Sequence, residues 1–232
     1  MTTTPESPEI LIPYESMLKA GMHFGRRKTV FNPAMGKYVF TVRDGICIID
    51  LLATQTQLKA AIDFLKQTIE DGKLVLFVAP TTQSREAVKA LAEQLSMPYV
   101  LDRWIGGTLT NFKVINGRVK KLEEMERARE SGEFEKYTKK EKLMHERDLE
   151  KMKVKYDGLK KLTRLPDVVF VSSVKEGKLS VAESIKMKVP IVGIVNTDAD
   201  PKVVKHAVPA NDRSKISLDL ILTALSESLK AN

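Results

Sequence analysis

Apolar residues along this chain come in two rhythms. Short continuous runs alternate with stretches whose apolar positions recur every three or four residues. Leu74–Ala79, Val168–Val171 and Pro190–Val195 have strand length and no charged interruption, as in strands buried on both faces. Pro98–Leu101 and Ala207–Val208 predict two further short strands. Leu51–Asp71 places Leu51, Leu58, Ala61, Ile62, Leu65 and Ile69 on one helical face and stops at Gly72, a left-handed cap. Ser84–Leu95, Leu179–Lys188 and a segment starting near Ser217 repeat that helical pattern. Tyr38–Val42 and Ile46–Asp50 flank Arg43-Asp44-Gly45, which predicts a β-hairpin because Asp-Gly supplies the positive φ of a tight turn. Buried strands alternating with amphipathic helices predict an α/β fold, a parallel sheet with helices on both faces.

The alternation breaks between Lys113 and Arg164. Phe112, Ile115, Val119, Leu122 and Met125 recur at helical spacing, and Ser131-Gly132 can end that helix. A second helix opens on the capping box Thr138-Lys139-Lys140-Glu141 and carries His145, Leu149, Met152, Tyr156 and Leu159. Two such helices joined by a short polar loop predict an inserted antiparallel coiled-coil hairpin. The α/β domain then comprises residues 14–112 and 165–232, the hairpin 113–164, and residues 1–13 a flexible lead.

Charge changes the picture from fold to partner. The net charge is +8, and the hairpin window holds seventeen Lys/Arg against eleven Asp/Glu, most of that excess. A pI near 9.4 favours a polyanionic partner, nucleic acid above all. The one cysteine, Cys47, lies in the apolar run Ile46–Ile49 and reads as a buried structural thiol in a reducing compartment. No apolar run approaches the roughly 18 residues of a membrane span. The polar segment Met1–Glu9 has neither the basic start nor the apolar core of a signal peptide, so the expectation is a cytoplasmic protein.

Catalytic and nucleotide-binding patterns are missing. There is no G-x-x-x-x-G-K-S/T, no G-x-G-x-x-G, no H-E-x-x-H and no G-x-S-x-G. His23, His145 and His206 lie in unrelated contexts. Pro80–Arg85 offers hydroxyls to a phosphate, although Thr-Thr before a helix is commonly a cap. Asp198 and Asp200 could hold Mg²⁺, but a turn with helix-capping carboxylates is simpler, because no third acid lies nearby in sequence. The expectation is a non-enzymatic protein with no cofactor, any Mg²⁺ arriving only through bound RNA.

The candidate chemistry is that of RNA binding. Arg26-Arg27-Lys28 reads as a Gly/Pro-bounded loop with Phe24 and Phe31 on either side, suited to phosphate and sugar contacts. Asp102–Lys113 combines Arg103, the only tryptophan (Trp104), the turn Gly106-Gly107 with its exposed N–H groups, and the amide of Asn111. Lys120-Lys121 and Lys139-Lys140, at opposite ends of the hairpin, are by themselves surface helix charge.

These segments also resemble one family. Ala20-Gly21-Met22-His23-Phe24-Gly25, Asn32-Pro33-Ala34-Met35, Arg103-Trp104-Ile105-Gly106-Gly107, Leu109-Thr110-Asn111, Thr138–Glu141, Leu165-Pro166-Asp167 and Asp200-Pro201 occur in the order and spacing of the second small-subunit ribosomal protein family, in its bacterial form. The likeness spans about Tyr14 to Leu229. It implies a flavodoxin-like doubly wound sheet with an inserted coiled-coil hairpin. It also implies a structural role on small-subunit ribosomal RNA, near the junction of head and body. A further implication is a part in seating S-one, the large ribosomal protein that captures messenger RNA. Trp104, Asn111 and Lys113 carry over as RNA-proximal, with the paired lysines Lys120, Lys121, Lys139 and Lys140 as further contacts. The chain departs from the family pattern at Arg26 and Asp102, where histidine is common, at Phe31, where tryptophan is usual, and at Thr82-Gln83, where Lys-Arg is frequent.

Overall fold

A computed structural model describes residues 11–132 and 136–230 of the chain. The expected flexible lead over residues 1–13 falls outside the described residues except at 11–13, where Ile12 is buried in the core and Leu11 packs against it.

A small unit comes first. Helix α1 (Tyr14–Lys19) precedes strands β1 (Phe24–Arg27), β2 (Val39–Arg43) and β3 (Ile46–Ile49), which form an antiparallel sheet in the order β1-β3-β2. Asp44 and Gly45 take φ of 49° and 75°, so the β2–β3 turn is the one that Asp-Gly predicts. Strand β1 is a correction. The segment read as a loop pairs Phe24 with Ile48 and Arg27 with Ile46. Its sequence hides the strand because no apolar alternation marks it.

The main sheet is parallel. After α2 (Leu51–Glu70) come β4 (Val75–Val78), α3 (Arg85–Gln94) and β5 (Tyr99–Val100). The helices α4 (Phe112–Glu130) and α5 (Lys139–Tyr156) follow, then β6 (Val168–Val171), α6 (Lys178–Lys186), β7 (Ile191–Val195), β8 (His206–Pro209) and α7 (Lys215–Lys230). The strand order is β5-β4-β6-β7-β8. Counted in chain order, the parallel strands lie 2-1-3-4-5, so the direction of winding reverses between β4 and β6.

The three central strands, β4, β6 and β7, are buried on both faces, and alternate residues enter two cores. Val75, Phe77, Phe170, Val192 and Ile194 meet Leu58, Leu65, Leu91, Ile221 and Leu225 from α2, α3 and α7. Leu76, Val78, Val169, Val171 and Val195 meet Val181 of α6, Trp104, Leu109, and Ile115 and Val119 of α4. Helices therefore cover both faces, as the alternation predicts. The boundaries are set locally. Asp50 Oδ1 accepts from the Leu52 N–H at 2.9 Å to start α2, and Gly72 at φ 69° ends it.

The insertion is a pair of helices packed against each other. Gly132 (φ 75°) lies just beyond the end of α4, and the capping box of Thr138 and Glu141 is present in both directions. Ile115, Val119, Leu159 and Leu162 belong to the core under the sheet, so the base of the insertion is rooted in the α/β domain. Farther out, Leu122 and Leu149 are buried, and beside them a cleft of about 630 Å³ opens between the helices, bordered by Met125, Ala128, His145 and Met152. Gly158, just past α5, lies so close on Tyr99 that a Cβ would collide with the Tyr99 carbonyl oxygen. The insertion thereby rests on β5, the edge of the sheet.

Candidate nucleic-acid interface

The three adjacent cations Arg26, Arg27 and Lys28 do not act together. Gly25 lets β1 approach the Asn196–Asp198 turn, where a Cβ would stand 2.6 Å from Thr197 Cγ2 and 2.8 Å from the Cys47 carbonyl oxygen. That approach turns Arg26 inward. Its N–H donates to Thr197 Oγ1 at 2.7 Å, and its Nη2 donates to Asp212 Oδ1 at 3.1 Å. Its Nε lies 3.5 Å from Asp198 Oδ2, an ion-pair contact. The Arg26 side chain is 13% exposed and that of Asp212 0%. Asp212 also accepts from Asn196 Nδ2 at 2.8 Å and Ser173 Oγ at 2.6 Å. Arg26 is thus the internal counter-ion of two carboxylates, and only Arg27 and Lys28 of the cluster are exposed. Asp200 caps the following turn by accepting from the Lys202 N–H at 2.9 Å, as the capping reading of that loop expects.

The Trp104 loop is organised by a residue the sequence does not point to. Glu183, on α6, accepts from Trp104 Nε1 at 2.9 Å and from the Gly107 N–H at 2.8 Å through one oxygen. Its other oxygen accepts from the N–H groups of Leu109 (3.0 Å) and Thr110 (3.1 Å) and from Thr110 Oγ1 (3.1 Å). Of the Gly106-Gly107 pair expected to meet RNA, the Gly107 N–H is therefore taken by the chain's own carboxylate, and Trp104 is packed under the sheet. Gly107 supplies φ 93° for the turn. What the loop offers outward is Arg103, Asn111 and Lys113, all exposed. Asn111 precedes α4 without capping it through its side chain.

Burial works against the charge on Glu183, but the Trp104 N–H and the backbone N–H groups outweigh it and hold the carboxyl below its ordinary range. A lowered folded value means that this stabilisation is complete above the unfolded carboxylate range, about 4.3, and is lost as pH falls through the folded value. Glu183→Ala is expected to lower the unfolding free energy by about 2–4 kcal/mol, because it strands the buried indole N–H and three backbone donors. Urea melts at neutral pH check the size, and melts on descending pH should show a shallower acid loss for Glu183→Gln than for the unchanged protein.

On the hairpin, Lys120, Lys121, Lys139 and Lys140 are all exposed. Its charge is unevenly spread. Residues 113–123 and 151–164, which form the base, hold ten Lys/Arg against two Asp/Glu, whereas residues 124–150 hold seven against nine. The positive face is thus the base, beside the Trp104 loop. Lys120 and Lys121 belong to it, and Lys139 and Lys140 lie in the outer, acidic part. Glu126 ties the two arms together, 3.1 Å from Lys153 Nζ and 2.8 Å from Lys160 Nζ. Burial opposes its charge, but the two ammonium groups prevail and lower its pKa. Sequence reading by whole segments misses this division; counting charge by helix turn finds it.

Among the described residues no group of acids, histidines or cysteines converges to hold a metal ion, and no helix is long and apolar enough to cross a membrane. Cys47 is buried, and burial pushes its thiol pKa up against the pull of Lys28.

Comparison with known proteins meets this geometry. The model of the family "Ribosomal protein S2" matches residues 17–231. A small ribosomal subunit protein uS2 of Coprothermobacter proteolyticus is 38% identical over 219 residues, which cover 94% of this chain and 82% of the relative. Another, of Karelsulcia muelleri, is 38% identical over 218 residues, covering 94% and 98%. With a family match over residues 17–231 and 38% identity over 94% of its length, the chain belongs to the ribosomal protein S2 family, a non-enzymatic structural component of the small ribosomal subunit.

Proposed function

We propose that this protein holds small-subunit ribosomal RNA in the bacterial cytoplasm as a scaffold without catalysis. The observation that carries the reading is the cationic base of the hairpin, ten basic residues against two acidic ones, set beside exposed Arg103, Asn111 and Lys113. Affinity comes from neutralising phosphates and releasing counter-ions, and specificity from the shape of folded RNA. Arg27, Lys28, Arg103, Asn111, Lys113, Lys120 and Lys121 are the direct contacts, with Lys139 and Lys140 as outer ones. Trp104 and Arg26 act through the surfaces they hold in place.

Within the same reading the sheet is flavodoxin-like, supported by its 2-1-3-4-5 order. The hairpin is a coiled-coil arm, supported by its seam at Leu122 and Leu149. Helping to seat S-one among the neighbouring ribosomal proteins rests on the family resemblance. The test is sedimentation of a lysate through sucrose at low and then high salt. Migration with small subunits, lost as salt rises, is the expected result; migration with free protein alone at low salt overturns the reading.

A further inference from the structure

A cleft of about 350 Å³ opens at the carboxyl ends of β4 and β6, where the winding of the sheet reverses. Helices α3 and α6 leave these strands toward opposite faces, Val88 of α3 entering one core and Val181 of α6 the other. Such a parting is where open α/β sheets admit ligands. Three cations line this one: Arg85, Arg103 and Lys178. Arg85 is fixed by Asp102, Nη2 to Oδ1 at 2.7 Å, and its buried Nε has no hydrogen-bond partner. The two acids in the lining are both engaged by arginines, Asp102 by Arg85 and Glu176 by Arg213 at 3.8 Å. Helix α6 starts at the cleft with no side-chain cap and no acid in its first turn, and an uncapped amino end of that kind adds donors for an anion. Glu183, the carboxylate nearest along that helix, is turned away into the Trp104 loop.

A second cleft, of about 200 Å³, shares Asp102 and Arg103 with the first. It runs over the β5 edge to exposed Lys155 and to Lys153, which is shared with Glu126, and its second acid, Asp157, is paired with Lys160. Arg103 therefore joins the crevice, where Arg85 is held by Asp102 and Arg103 and Lys178 are exposed, to the most basic part of the chain.

We propose that the crevice between β4 and β6 is a phosphate site. It takes one phosphodiester of an RNA strand whose neighbouring phosphates cross the β5 edge onto Lys153 and Lys155. This rests on the RNA-binding reading and locates a contact within it. Backbone phosphates recur along a strand and match a run of separated cations, whereas a mononucleotide would use only one end of the run.

The test uses the full chain, ¹⁵N-labelled, titrated with oligouridylate and, separately, with uridine monophosphate. Small-subunit ribosomal RNA is bound on filters in parallel. Oligouridylate should shift the amides of Lys178–Ser180 and Arg103 together with those of Lys153 and Lys155. Both Arg103 and Lys178 are exposed, so an Arg103→Gln, Lys178→Gln variant should melt like the unchanged protein. It should bind oligouridylate about tenfold or more weakly, with a salt slope shallower by about 1.4, as for two phosphates of a single strand left without a cation. Oligouridylate bound at full affinity by this variant, or crevice amides that stay still while RNA binds elsewhere, overturns the site and leaves the RNA reading standing. No binding of either RNA at low salt overturns that reading itself. Uridine monophosphate saturating the crevice as readily as oligouridylate overturns RNA as the source of the phosphate.

Discussion

Arg26→Ala is expected to cost about 3–5 kcal/mol of stability, the range for removing one partner of a buried, hydrogen-bonded ion pair. The guanidinium stands between Asp198 and Asp212, the latter fully buried and closed to bulk solvent. Asp212 would keep its bonds from Asn196 and Ser173 but be left without its counter-ion. Arg26→Met refills most of the volume without charge, so it separates packing from electrostatics. If charge dominates, both variants fall by similar amounts in denaturant melts; if Met recovers most of the stability, the site is a packing site. A fall below about 1 kcal/mol in both, the value of an exposed pair, would contradict the internal role assigned to Arg26. Because this network joins β1 to the loops after β6, β7 and β8, its removal should also loosen the antiparallel sheet ahead of the main one in hydrogen exchange.

Neutralising the base of the hairpin is expected to have the largest effect on RNA binding. Lys113, Lys120, Lys121, Lys155 and Lys161 are exposed, and none is the partner of Glu126. Changing all five to Gln should flatten the slope of log affinity against log salt by about 4, near 0.7–0.9 for each phosphate no longer neutralised. The matched outer set, Arg127, Arg129, Lys139, Lys140 and Lys142, sits where acids outnumber bases. It should move the slope by less than half as much. Equal effects from the two sets would show that the arm binds along its whole length rather than at its root. Excising residues 113–164 would confound this test, since Ile115, Val119, Leu159 and Leu162 would leave the core.

Most of the fold is legible in the chain because its signals are local. Apolar runs announce β4, β6 and β7, Asp44-Gly45 announces a turn, and Thr138-Glu141 a helix start. Strand β1 is not legible, since one side of it buries an arginine against carboxylates 172 and 186 residues away rather than against apolar groups. The site divides in the same way. Exposed Arg103, Asn111 and Lys113 follow from the loop's composition. Glu183 does not, because a glutamate on an amphipathic helix carries no mark of the five donors that converge on it from residues 104–110. Overall composition also finds the basic insertion but not its polarity, which emerges only when charge is counted turn by turn along its two helices.

The close seat of Gly158 on Tyr99 bears on solubility. An uncovered edge strand leaves main-chain donors and acceptors open to a strand from another molecule, a hazard that the two-residue length of β5 limits but does not remove. Here the root of the arm lies across that border. A bulkier residue in place of Gly158 would lift the arm from it, and the free protein, before any assembly partner shields it, would then be open to self-association through strand pairing.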